Sequence, residues 1–72
     1  MIKINNAYLD QFISAHHEYL YPISKGIYLA FDKKSLEFIG IEEFYLADPK
    51  KYNPLADDKL NFLIARNILE VL

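Results

Sequence analysis

The chain contains no cysteine, no threonine and no tryptophan, and only two glycines and three prolines. Without cysteine there is no disulfide to staple a small fold, and a reducing compartment suits such a chain. Two histidines and no thiol leave a structural zinc, which takes four ligands, without a complete donor set. Two glycines are too few for the GxGxxG or GxxxxGK loops that cradle phosphates. Charge of one sign is also missing: ten acids against eight bases leave −2. That balance supplies no basic stripe for nucleic acid and no dense carboxylate rows to mimic it. Long hydrophobic runs are absent as well. The most apolar stretch, around 20–29, is broken by Pro22, Ser24, Lys25 and Gly26, well short of the ~20 apolar residues of a membrane helix. Residues 1–6 lack the apolar core of a signal peptide. The expectation is a cytoplasmic protein that binds neither membrane nor nucleic acid.

What is present is an ordinary apolar share enlarged by tyrosine. Residues of hydrophobic type make up 53% of the chain, and six of them are tyrosines. A chain of 72 residues predicts one compact domain, 1–72. At this size folding buries about 60% of the unfolded surface. Stability should lie at roughly 4–11 kcal/mol, from about 0.05–0.15 kcal/mol per residue. Phe, Ile, Lys, Asn and Tyr together account for 32 of the 72 residues, the composition of an AT-rich gene.

Residues 6–19 read as a helix, with Asn5 or Asn6 as N-cap. At 100° per residue Tyr8, Leu9, Phe12, Ile13, Ala15, His16, Tyr19 and Leu20 share one face, and Pro22 ends the element. Residues 27–32 and 36–41 alternate with the period of a strand and read as a β-hairpin. Pairing Phe31 with Leu36 sets Leu29 opposite Phe38 and Ile27 opposite Gly40. The other face of that hairpin, with Tyr28, Ala30, Ile39 and Ile41, is too apolar for water. A third strand from 42–46 or 1–4, or a partner, is expected to cover it. Asn53 as N-cap with Pro54 at the first helical position starts a second helix, a start at Asp57 or Asp58 reads equally well, and Asp57 and Asp58 favour its dipole. Its main stripe is Ala56, Leu60, Leu63, Ile64, Ile68 and Val71. A second stripe, Leu55, Phe62 and Leu69, lies nearly opposite, flanked by Lys59 and Arg66. A helix apolar on two sides is buried twice.

Sites of chemistry are thin. In His16-His17-Glu18 the adjacent imidazoles diverge by about 100° on a helix and cannot chelate one ion. The bland reading is a hydrogen-bonded His16 in the core face and a solvated His17. Asp10, Ser14, His17 and Tyr21 share one helix edge, whereas a catalytic triad draws its members from separate elements. The pairs Glu42-Glu43 and Asp57-Asp58 read as solvated. No catalytic residue, metal site or cofactor is expected. Asn67 falls inside the main stripe, where a polar residue can set the register of a helix pair or bond a loop carbonyl. Tyrosine is enriched at interfaces because it combines rigid area with a polar tip.

These patterns give an α+β fold, helix–β-hairpin–helix, a small antiparallel sheet of two or three strands with both helices on one face. The candidate partner-binding residues are Leu55, Phe62, Arg66 and Leu69 on the second helix, with Tyr21, Tyr28, Tyr45 and Tyr52. The functional expectation is a non-enzymatic protein-binding module, an inhibitor or neutraliser of the size of phage anti-defence proteins such as anti-CRISPRs, immunity proteins or antitoxins. The alternatives are a homodimeric accessory subunit joined through the C-terminal helix and, third, a small metal-dependent or hydrolytic enzyme.

Overall fold

A computed structural model describes residues 1–44 and 54–72. The order is β1 (Ile2–Ile4), a 3-10 helix (Asn6–Gln11), β2 (Ile13–Ser14), β3 (Glu18–Ser24), β4 (Ile27–Asp32), β5 (Phe38–Glu43), α1 (Pro54–Ala65) and β6 (Leu69–Val71). Strands β2-β3-β4-β5 form an antiparallel sheet in chain order, and β1 pairs with β6 in a second sheet. The helix–hairpin–helix expectation is therefore wrong. Among the described residues the fold is mostly strand, with one α-helix and two sheets.

The first expected helix lasts only six residues, as a 3-10 turn. Asn5 caps it, its side-chain oxygen accepting from the Ala7 N–H at 3.1 Å. Phe12 then turns extended, at φ −107° and ψ 148°. The reason lies further along. Tyr19, Tyr21 and Ile23 alternate with Leu20, Pro22 and Ser24, and aromatic and β-branched residues suit a pleated surface. Tyr19 and Leu20 are neighbours on a helical wheel but point to opposite faces of a strand. Burial across a four-stranded sheet outweighs a helical period shared by the same residues. β2 ends level with Leu20, short of Pro22, and a strand tolerates proline at such an edge.

The β3–β4 hairpin turns at Lys25-Gly26, with Gly26 at φ 73°, a left-handed value glycine adopts without penalty. The β4–β5 hairpin exists with a longer turn and another register. Phe31 pairs with Phe38, Leu29 with Ile41 and Ile27 with Glu43, with a bulge at Ala30/Phe31. The expected partners Leu36, Phe38 and Gly40 are displaced because Asp32 organises the turn. Its Oδ1 accepts from the N–H groups of Lys34 and Ser35 at 2.7 and 2.9 Å, and its carbonyl accepts from Leu36 at 2.8 Å. Those bonds draw residues 33–36 into the loop, with Leu36 at φ 66°. The third strand is β3, beside β4 in the same sheet and so not a cover over its outer face; Glu42 and Glu43 belong to β5, and residues 45–46 lie outside the described residues. Segment 1–4 pairs instead with β6 and only bridges to β5 at Lys3–Glu37.

Cross-strand partners share a face, so the register sorts the sheet. One face carries the rows Tyr19–Phe31–Phe38 and Tyr21–Leu29–Ile41 and supports the core. Phe12 meets the rings of Phe31 and Tyr21 edge-on, both at 5.3 Å, a favoured aromatic arrangement. Ala56, Leu60 and Leu63 of α1, then Ile68, Leu69 and Ile4, complete the cluster. The opposite face carries Ile13–Leu20–Ala30–Gly40 and Pro22–Tyr28–Glu42.

The second expected helix ends early. Asn67 sits at φ 62°, its N–H donates to the Ile64 carbonyl and that of Ile68 donates to the Leu63 carbonyl, both at 3.0 Å. Those two bonds make a Schellman C-terminus with Asn67 in the left-handed position. The carbonyl of Asn67 accepts from Asn5 Nδ2 at 3.0 Å, and that of Ile68 accepts from the Asn5 N–H at 2.9 Å. Leu69 then leaves as strand and pairs with Ile4. The N-cap expected at Asn53 lies outside the described residues.

Candidate functional site

Ending α1 at Ala65 divides the expected second stripe. Leu55 and Phe62 stay on its outer side, 50% and 46% exposed, whereas Leu69 is 1% exposed in β6. Leu69 is thus a core residue and leaves the set of binding candidates. Leu55, Asp58, Lys59 and Phe62 recur at helical spacing and, with Ile23 of β3, line an open groove of about 330 Å³. Phe62 is flanked by two cations of its own helix. The Lys59 Nζ stands 5.1 Å and the Arg66 guanidinium 4.5 Å from its ring centroid. Such exposed contacts are worth about 0.5–1 kcal/mol each, and they hold both positive charges against the Phe62 ring.

Ile23, Asp58 and Lys59 were missed as groove residues. The alternation Tyr19, Tyr21, Ile23 was the available signal for the first. The spacing of three and four around Leu55 and Phe62 was the signal for the other two.

The tyrosines do not form one surface. Tyr21 lies on the core face against Phe12, so a structural role accounts for it. Tyr28 lies on the opposite sheet face and meets the Phe44 ring edge-on at 5.4 Å. Tyr45 and Tyr52 lie outside the described residues.

That opposite face holds the most perturbed carboxyl among the described residues. Glu42 of β5 hydrogen-bonds Glu18 of β3. This bond first, then burial and the Glu18 charge, push the Glu42 carboxyl from 4.5 to about 7. Asp32, by contrast, is held below its ordinary value by the backbone N–H groups of Ser35 and Lys34.

His16 and His17 lie in the β2–β3 turn and both are exposed, their rings 4.1 Å apart. His16 is not the core histidine expected on a helix face. Nearby, Lys33 Nζ donates to Ser14 Oγ and the Ala15 carbonyl, both at 2.7 Å, and Lys33 N–H donates to the His17 carbonyl. The lysine thus closes the turn and engages the Ser14 hydroxyl. Among the described residues no group of three or more His, Cys, Asp or Glu could hold a metal ion, and no helix is long and apolar enough to cross a membrane.

Comparison with family models, curated proteins and solved structures finds no match.

Proposed function

We propose that the chain is a small cytoplasmic protein-binding module, acting as an inhibitor or neutraliser by covering part of another protein and carrying out no chemistry of its own. The observation that carries this reading is the groove between β3 and α1. It joins two large apolar side chains, each about half exposed, to the side chains of Ile23, Asp58 and Lys59. Apolar anchors inside a polar rim are the usual anatomy of an interface, and arginine and aromatics are enriched among its strongest contacts. Lys59 and Arg66, stacked on Phe62, fit a partner that sets acidic side chains beside an apolar knob.

The test is Leu55→Asp with Phe62→Asp. Both side chains are exposed, so the circular dichroism spectrum and cooperative melting should be retained. Pulldown from the native host, quantified against the unaltered chain, should lose its specific partner. A folded double variant that retains the partner would sink the reading. Light scattering of the chain at tens of micromolar separates a foreign partner from a second copy: a monomer fits the first, a dimer lost in the double variant fits the second.

A further inference from the structure

We infer that, in the free chain, the groove of α1 takes α1 of a second copy, packed antiparallel with Phe62 of each copy seated in the groove of the other. This pairing rests on the proposed function's reading of the groove as an interface, and it names what fills the groove before a partner does.

The helical residues that line the groove are Leu55, Asp58, Lys59 and Phe62, at positions i, i+3, i+4 and i+7. Four residues at that spacing form the hole into which a side chain of a facing helix inserts. Ile23 of β3 adds an apolar wall beside it. The knob on the same stripe is Phe62 itself, 46% exposed. Two copies related by a two-fold axis exchange identical contacts. The hole is centred between Asp58 and Lys59, one turn before Phe62. Phe62 of each copy therefore reaches the hole of the other only when the two helices run antiparallel.

Charge selects the same direction. In a parallel pair like residues meet, Asp58 beside Asp58 and Arg66 beside Arg66. In the antiparallel pair, seating Phe62 level with Asp58 and Lys59 brings Arg66 of that copy level with Pro54 and Leu55. Its Lys59 comes level with Asn61 and Phe62. Asp58 borders both positions, so it stands between Lys59 and Arg66 of the second copy, and the contact is repeated across the axis. Within one copy Asp58 and Arg66 are two turns apart, about 12 Å along the helix, and Arg66 lies on the Phe62 ring instead. Opposite charges set against each other in this way fix register and direction.

The contact is one face of a twelve-residue helix with one strand residue beside it. That is below the size of a standard stable interface, so the pair is weak and forms from about 0.1 to 1 mM rather than at tens of micromolar. A partner that buries more surface displaces the second copy, and the two complexes exclude each other.

The experiment is sedimentation equilibrium over that range. The mass of the unaltered chain should rise towards that of a dimer. Asp58→Arg and Arg66→Asp, both at exposed positions, should each weaken the pair about tenfold or more, because each sets like charges together twice. Mixed in equal amounts, the two variants should pair again, since each copy of one then meets the opposite charge on the other at both contacts. An unaltered chain that stays monomeric at the top of the range overturns the pairing, and that measurement needs no variant to fold. A dimer that neither substitution weakens overturns it too, as does a mixture that stays monomeric. A chain that never pairs, yet loses its partner on Leu55→Asp with Phe62→Asp, keeps the proposed function and sinks only the second copy.

Discussion

Asn67 offers a test in which two structures demand opposite signs. In the helix that the apolar spacing predicts, position 67 is helix interior, inside the stripe of Leu60, Leu63, Ile64, Ile68 and Val71. Alanine is the best helix former there and glycine a poor one. Asn67→Ala would then gain roughly 0.5 kcal/mol, and Asn67→Gly would lose a few tenths. In the observed fold, position 67 has φ 62° and closes the Schellman turn. A residue with a Cβ pays about 1–2 kcal/mol in that region, which asparagine relieves in part and glycine avoids. Asn67→Ala should therefore lose about 1 kcal/mol, and Asn67→Gly should match or exceed the unaltered chain. The side chain is exposed, and the bond from Asn5 goes to the backbone carbonyl, so neither packing nor that bond confuses the comparison. For a domain of this size 1 kcal/mol shifts Tm by about 4–8 °C. Thermal melts followed by circular dichroism resolve that easily. If the alanine variant melts above the glycine variant, the turn at 67 is wrong, and with it the placement of β6.

Three further outcomes follow from the same fold. Leu69→Asp puts a carboxylate at a site 1% exposed beside Ile4 and should abolish cooperative melting, as should Leu63→Ala in large part. Leu63 is 0% exposed, and such truncations cost about 2–5 kcal/mol against a total of roughly 4–11 kcal/mol. Asp32→Ala should lower Tm at neutral pH by releasing the Lys34 and Ser35 N–H groups. The native carboxyl is displaced downward, so its stabilisation is present above 3.8 and fades as pH falls below that value. The variant and the unaltered chain should converge in acid denaturation series.

The hairpin and the core of α1 were legible because their periods are unambiguous. Ile27, Leu29 and Phe31 alternate over a run with no competing helical face, and Pro54 to Leu63 carries early acids and a clean buried stripe. The helix expected over 6–19 fails from Phe12 onward because Phe12, Ile13, Tyr19 and Leu20 satisfy a helical arc, while 19–24 also satisfies a strand. Only the sheet that receives them decides between the two, and that information is long-range. Asn67 is different. Asparagine is a recognised left-handed C-terminal residue, and the signal was present, but an apolar stripe running through Ile68 and Val71 concealed it. The hairpin register failed for a local reason, since Asp32 can accept two backbone N–H groups and so lengthen its own turn.

The fold also changes what the surplus of apolar residues means. Read as helix–hairpin–helix, the chain has two apolar surfaces that it cannot cover, the back of the second helix and the outside of the hairpin. The added strands absorb much of both. Leu69 goes into the core, Leu20 and Ala30 are 8% and 2% exposed, and Ile41 packs against the buried cluster. Of what stays outside, Met1, Val71 and Leu72 lie at the β1–β6 ribbon, and two other groups lie on the α1 groove and the outer sheet face. Leu55 and Phe62 line the groove of α1, and Ile13 lies with Tyr28 on the outer sheet face. These surfaces differ in electrostatics, because the first carries Lys59 and Arg66 against its aromatic ring and the second carries Glu18, Glu42 and Asp32. A partner suited to the groove is therefore disfavoured on the sheet face. Loss of binding on substituting Leu55 and Phe62 therefore reports on the groove surface and leaves the sheet face untouched.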